Sequence, residues 1–324
     1  MSRTIRVAAT VVLTALACAY LAWKIEFGTT VDVLAETDLG WLFFAVAIVT
    51  ITALPMALRW QWMMNAEGMH DTFAWLTRAY FVSYTIGQVL PTAIGGDAVR
   101  VIETARRHPG RTGSITAITL LERGLGGAAT VLLGAIGFAL ALGRYDIGAY
   151  VWIELLFVVG TIAVAALFFA RSVRPLLVRA VPLLRAARVE RPLRSFYEGV
   201  HAFRSRGRLL LAVFLLTLAL QAIRVLSIWA VARAVGIDLS PRVFYVMGPL
   251  FFLVLLVPFT LNGIAVREAF FVSFLGQLAV DAERAFAAGF LYFLVTVALA
   301  LPGAVVLLWE GIRGVMRRPR VGHG

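Results

Sequence analysis

From Leu39 to Leu58 the chain runs twenty residues without one charged side chain, and from Val151 to Ala170 it carries only Glu154 over the same length. About 20 apolar residues in a helix cross the ~30 Å hydrocarbon core of a bilayer. Inside that core every backbone N–H and C=O must find its partner within the protein, so such a run folds as a helix. The whole chain shares the bias. Of its 324 residues 61% are hydrophobic and 15% charged, whereas soluble domains are nearer half apolar and a quarter charged. The fold class expected is an all-α polytopic membrane protein.

Six full spans are expected, at 6–23, 39–58, 113–142, 150–170, 209–235 and 286–310. Two further apolar segments, 77–107 and 243–278, are interrupted by Pro and Gly and read as broken or re-entrant helical hairpins. Residues 1–23 imitate a secretory leader, with Arg3 and Arg6 ahead of an apolar run. That run continues through Tyr20–Trp23, so it is expected to remain as the first span. Cys18 is the only cysteine, which excludes a disulfide within the chain, and no Cys/His cluster offers a metal site. No cofactor is expected.

The net charge of +12 comes almost entirely from arginine. With the N-terminus inside, the segments 1–6, 59–78, 100–111, 171–208 and 311–324 are cytoplasmic and hold 22 of the 30 Lys and Arg residues. The outer segment 24–38 is acidic, with Glu26, Asp32, Glu36 and Asp38 against Lys24. Such an excess of positive charge on the cytoplasmic side sets orientation, and it argues against nucleic acid as a partner. Both termini are therefore expected in the cytoplasm, and the chain in the cell membrane. The segment from Arg171 to Arg208 carries ten arginines among recurring apolar residues, Leu176, Leu177, Phe196 and Phe203 included. It reads either as short amphipathic helices on the inner leaflet or as a solvated linker. A single membrane domain is thus expected. Its first half runs to residue 170, the linker spans 171–208, a second half 209–312 comes next, and a basic tail closes it at 313–324.

The decamer "PTAIGGDAVR" at 91–100 is matched at five positions by "PFTLNGIAVR" at 258–267, 167 residues on. Each comes after an apolar half-helix, and each is preceded by a span carrying an arginine, Arg59 in the first case and Arg224 in the second. The threading gives the two copies opposite orientation, which makes them an inverted repeat of the kind from which transporters build midplane sites. Pro91 and Pro258 stop one half-helix, and Gly95, Gly96 and Gly263 allow the return. The free N–H groups that start the next half-helix favour an anion. Asp97 is expected to cap the helix beginning near Ala98.

Arg100, Glu122, Arg123, Arg224, Arg267 and Glu268 lie at or near membrane depth, where ionisable groups are costly and face a bundle interior or cavity. Two readings stand side by side. In one the arginines form an anion site suited to phosphate, because the guanidinium fork binds two oxygens. In the other they form structural ion pairs with Asp97, Glu122 and Glu268.

The stretches "LPTAIGGDAVRV", "LLERGLGG" and "NGIAVREAFF" resemble, in this order, the motifs of the lysylphosphatidylglycerol synthase transmembrane region family, also described as flippase-like. The resemblance covers about 10–312. Carried over by motif, it implies site positions at Gly95, Gly96, Asp97, Arg100, Glu122, Arg123, Gly263, Arg267 and Glu268; Arg224 joins them on depth alone. Asn262 departs from the glycine the family favours, a mild departure because Asn tolerates left-handed backbone. Some members continue into a soluble aminoacyltransferase domain. Only Val-Gly-His-Gly stands after Arg320 here, so a stand-alone member is expected and synthase activity is not carried over.

The function expected is that of a lipid flippase or translocase moving an anionic, phosphate-bearing lipid, with no catalytic residues and no enzyme activity. No GxxxxGK[ST] loop is present, so nucleotide hydrolysis by this chain is not expected. The alternatives are a non-transporting accessory subunit of a lipid-modification or glycolipid pathway and, behind it, a lipid-phosphate enzyme. A homo-oligomer or a partner lipid-modifying enzyme is compatible with either of the first two.

Overall fold

The computed structural model describes residues 18–89, 95–141, 206–255 and 265–316, together with Leu16, Trp152, Leu155, Leu156, Val159, Phe203 and Gly263. Among the described residues there is no β-strand. Among the described residues ten helices follow in order: α1 Phe27–Ala35, α2 Leu39–Ile51, α3 Ala53–Ala66, α4 Phe73–Val89, α5 Gly95–Arg107, α6 Thr112–Ala141, α7 Gly207–Ala234, α8 Pro241–Leu255, α9 Val266–Gly276 and α10 Ala282–Met316. Among the described residues four helical stretches are long and apolar enough to cross a membrane: Leu39–Ala66, Thr112–Leu140, Gly207–Ala234 and Ala282–Ile312. They coincide with four of the expected spans. The spans at 6–23 and 150–170 lie largely outside the described residues, as does most of the 171–208 linker.

Asp38 starts α2, its Oδ1 accepting from the Gly40 N–H at 2.8 Å and the Trp41 N–H at 3.3 Å. Thr52 marks the joint with α3, where its hydroxyl turns back to the Val49 carbonyl. Hydropathy ends this span before Arg59 and places that arginine in a cytoplasmic segment. The helix instead continues to Ala66, and Arg59 is 6% exposed. The reason is tertiary. Trp60, Met63 and Met64 go on burying one face, and Arg59 meets a carboxylate from another helix.

Both interrupted segments are pairs of helices. In the first, α4 and α5 pack together closely because Gly96 sits against the Ser83 carbonyl, where a Cβ would collide. In the second, α8 and α9 are joined through Gly263 at φ +74 and Ala265 at φ 63. A positive φ is free for glycine and strained for alanine. The residues from 90 to 94, Pro91 included, fall outside the described set, and so does Pro258.

Packing keeps one order in both halves. The helix α3 packs on α4, α4 on α5, and α5 on α6; α7 packs on α8, α8 on α9, and α9 on α10. The first arm of each hairpin also crosses to the other half, α4 onto α10 and α8 onto α6. Each crossing is made at a glycine. Gly303 of α10 meets the Phe81 carbonyl, and Gly137 of α6 meets the Tyr245 carbonyl, at separations that leave no room for a Cβ.

Two apolar clusters fill the interior. The larger, around Phe244, Phe251, Phe271, Phe274 and Tyr292, belongs mainly to the second half. The smaller gathers Trp60, Met63, Met64, Leu76, Tyr80, Ile115 and Phe203. Phe203, expected among the residues facing the inner leaflet, is 1% exposed and packs under protein instead, while Arg206 pairs with Glu67 at 3.4 Å.

Candidate functional site

The carboxylate of Glu122, on α6, is the centre of a buried polar cluster. Its Oε1 accepts from Arg59 Nη2 at 2.6 Å, Arg59 Nε at 2.9 Å and the Tyr80 hydroxyl at 2.5 Å. Its Oε2 accepts from Arg100 Nη2 at 2.6 Å. Arg59 spends its remaining fork on the Thr217 hydroxyl at 2.8 Å. Four helices, α3, α4, α5 and α6, thus converge on one side chain, and α7 joins through Thr217. A buried charge is tolerable only when paired and hydrogen-bonded. Glu122 meets both conditions with donors from three residues. The Arg100 guanidinium carbon lies 4.4 Å from the Trp60 ring centroid and 4.3 Å from that of Tyr80, cation–π contacts with two rings that meet edge-to-face 5.7 Å apart.

Asp97 stands beside this cluster. Expected as the cap of α5, it lies within the first turn instead, because the helix begins at Gly95. There it favours the positive end of the helix, and its two oxygens accept from Arg100 at 3.3 Å and from Arg123. The remaining arginine, Arg224 on α7, contacts neutral groups: the Tyr84 hydroxyl at 2.9 Å and the Met56 sulfur at 3.2 Å. None of the described carboxylates pairs with it.

These groups line a cavity of 400 Å³. Arg59, Arg100, Arg123 and Arg224 face it with Asp97 and Glu122, so the ionised lining carries a net charge of +2. The rest of the wall includes Met56, Tyr80, Ser83, Tyr84, Thr130, Thr217, Leu220, Gln221, Phe252 and two adjacent glycines, Gly126 and Gly127. Gln221 Nε2 donates to the Thr130 hydroxyl at 2.6 Å and so ties α7 to α6.

Of the positions singled out in the sequence, Asp97, Arg100, Glu122, Arg123 and Arg224 come together around this cavity, and Gly95 and Gly96 form the buried start of α5 beneath Asp97. Gly263, Arg267 and Glu268 do not line it. Arg267 donates to Glu268 Oε1 at 2.9 Å and lies over the Phe293 ring at 4.6 Å, both side chains buried. The residue 167 after Glu122 is Gly289, whose added Cβ would meet the Glu268 backbone at 3.2 Å. With no carboxylate on that helix face, Arg267 pairs with its own neighbour.

Sequence reasoning leaves out Arg59, Tyr80, Tyr84, Thr217 and Gln221 as site residues. Arg59 carries a signal, since it precedes the first hairpin as Arg224 precedes the second. Tyr80 and Tyr84 recur four apart on α4, one face of a helix, in a segment otherwise read for its breakers.

The model of the family described as the lysylphosphatidylglycerol synthase TM region matches residues 6–303. A curated relative, "Glycosyltransferase AglD" from Haloferax volcanii, is 26% identical over 343 aligned positions, which cover 94% of this chain and 54% of that protein. The chain therefore spans about half the length of the relative it matches.

Proposed function

Since the chain belongs to the lysylphosphatidylglycerol synthase transmembrane region family, we propose that this multi-pass membrane protein moves an anionic, phosphate-bearing lipid across the cytoplasmic membrane. The observation that carries the reading is the charge of the cavity. A net +2 at its wall, with Arg224 held among the described residues by a hydroxyl and a thioether and by no carboxylate, calls for an anion. A phosphate headgroup supplies the missing charge and accepts the guanidinium fork in two places. The acyl or prenyl tails remain in the bilayer, because a cavity of 400 Å³ is too small for them.

In this reading the hairpins α4–α5 and α8–α9 are an inverted repeat. Both termini are cytoplasmic, and the basic linker lies on the inner leaflet. The protein acts by binding and exchange, without a bond being made or broken, and a gradient or consumption of the product supplies any drive.

The test is reconstitution of the full chain into vesicles with headgroup-labelled lipids, scored for transbilayer movement in wild type and Arg224→Gln. Movement that the substitution abolishes supports the proposal. No movement across phospholipid, aminoacyl-lipid and polyprenyl-phosphate headgroups refutes it. A second reading, an accessory subunit of a glycolipid pathway, draws on the name of the Haloferax relative, which matches over only part of its length. It expects substitutions in the cavity to be silent and a lipid-modifying enzyme to co-purify with the chain.

A further inference from the structure

The second hairpin holds a carboxylate that the cavity does not use. Glu268 is 6% exposed, and its Oε1 takes two arms of the Arg267 fork, Nε and Nη2, each at 2.9 Å. Its Oε2 is buried and has no hydrogen-bond partner among the described residues. Glu122 is the contrast, with four hydrogen bonds spread over both of its oxygens. A buried carboxylate oxygen left without a donor is costly. The repeat does not account for it, because the residue 167 before Glu268 is Val101. Buried ionisable groups at membrane depth mark ion pathways and proton relays.

Few polar groups face this carboxylate. Arg267 stands beside it on α9. From α10, Gly289 lies against its backbone, and one turn on comes the buried Tyr292. The Tyr292 hydroxyl meets Ser227 of α7 and feels the charge of both Arg267 and Arg224. From α8 comes a ring, Phe251 against Tyr292, while the Tyr245 hydroxyl donates to the Ala222 carbonyl of α7 at 3.4 Å. The charged residues of α8 and α10, namely Arg242, Glu283, Arg284, Glu310 and Arg313, stand near helix ends. Tyr292 is thus a neutral group between two arginines, one paired with Glu268 and one on the cavity wall. Charge counting gives the consequence. With Glu268 ionised, the Arg267–Glu268 pair is neutral. With a proton on Oε2 it carries +1, and in a low-dielectric interior that charge acts on an anion held at Arg224.

We propose that Glu268 Oε2 is a proton-binding site linked to the cavity: one proton taken up there strengthens anion binding at Arg224, and a bound anion strengthens proton uptake in return. The reciprocity is thermodynamic necessity once the two sites influence each other. The proton comes from water and adds to a lone pair of Oε2. Arg267 keeps its bonds to Oε1, and no other bond changes. The inference rests on the anion-site reading above and names the gradient that drives it, one of protons.

The test does not depend on transport. Sulfate is the probe, because its charge is the same in mildly acidic and mildly alkaline solution, and its binding to the full chain in detergent is followed by calorimetry at both. Wild type is expected to bind sulfate more tightly in acid by at least about fivefold, the lower end of the coupling typical of linked sites. Glu268→Gln, neutral and of the same shape, is expected to keep the acid-form affinity at both. Two readouts need wild type alone. Acidification brings up the high-frequency infrared carbonyl band of a protonated carboxyl without a hydrogen-bond donor, and sulfate added to an unbuffered sample draws protons from solution. Absence of either signal overturns the proposal, as does a pH dependence that survives in folded Glu268→Gln. Sulfate that binds wild type equally at both pH values, and is weakened by Arg224→Gln, removes the proton site and leaves the anion site standing. No sulfate binding at either pH removes both.

Discussion

Arg100 Nη2 lies 2.6 Å from Glu122 Oε2, and this contact joins the second arm of the first hairpin to the next helix along the chain. Glu122 holds Arg59 in the same way with its other oxygen. Removing the carboxylate leaves the buried Arg59 guanidinium without an acidic partner and Arg100 with Asp97 alone at 3.3 Å, and a buried charge stranded in this way costs about 3–5 kcal/mol. Glu122→Ala is therefore expected to lower stability more than the loss of any other polar side chain around the cavity, read as the thermal midpoint of the detergent-solubilised protein. The double variant Glu122→Ala, Arg59→Leu should recover part of the loss. A drop below about 1 kcal/mol, the range of solvated pairs, would show that water reaches the cluster.

Arg224 should behave in the opposite way. Its partners are a hydroxyl and a thioether, so Arg224→Gln strands no charge. Stability is expected to change by less than about 1 kcal/mol, while movement of an anionic lipid falls by tenfold or more. Arg59→Gln, which takes two donors from Glu122, should destabilise first. Equal effects of the two substitutions on stability would remove the distinction between structural and ligand-facing arginines.

Glycine substitutions test the cavity from another side. Gly126→Ala has room for its methyl group and should stabilise α6 by about 0.5–1 kcal/mol. Movement of lipids with bulky headgroups should slow under the same change, and that of small headgroups much less. Gly96→Ala collides with the Ser83 carbonyl and should destabilise by about 1–3 kcal/mol. A Gly126→Ala protein that is less stable than wild type would mean that the cavity wall is packed, not open.

An ion clasp ties the first hairpin to the last helix. Arg78 of α4 binds Glu310 of α10 at 2.5 Å and Glu103 of α5 at 2.8 Å. Partly exposed, it contributes little to stability, but its position is informative. In a Cys18→Ser background the pair Arg78→Cys, Glu310→Cys is expected to cross-link. Lipid movement should stop in the oxidised protein and return on reduction. Undiminished movement in the cross-linked protein would make α4 and α10 one rigid body.

The parts of this fold that sequence exposes are those governed by local rules. Prolines and glycines mark both hairpins, and uncharged runs mark α2, α6, α7 and α10. The hidden parts depend on partners far along the chain. Arg59 reads as the end of a span because a hydropathy window cannot see Glu122, 63 residues away. Tyr80, Thr217 and Gln221 are neutral side chains within helices, where nothing in the local pattern points to a charged partner. The repeat, in turn, invites too much symmetry. Arg267 matches Arg100 in the alignment, yet Gly289 stands where symmetry wants a carboxylate. Only packing shows that Arg267 then turns to Glu268, its own neighbour in the chain.

The presence of Glu122 on one side and its absence on the other gives the two hairpins different kinds of contact. Directional ionic hydrogen bonds lose most of their energy when the donor moves by an ångström or turns. The α4–α5 side, knotted through Glu122, is therefore stiff and comes apart all at once. The α8–α9 side is held by ring faces, Phe251 against Phe271 and Tyr292, Phe270 on Phe274. Contacts of that kind are many, weak and non-directional, so they can be traded one for another as surfaces slide. The two hairpins thus resist displacement by different means, the α4–α5 side through ionic hydrogen bonds on one carboxylate and the α8–α9 side through apolar ring contacts.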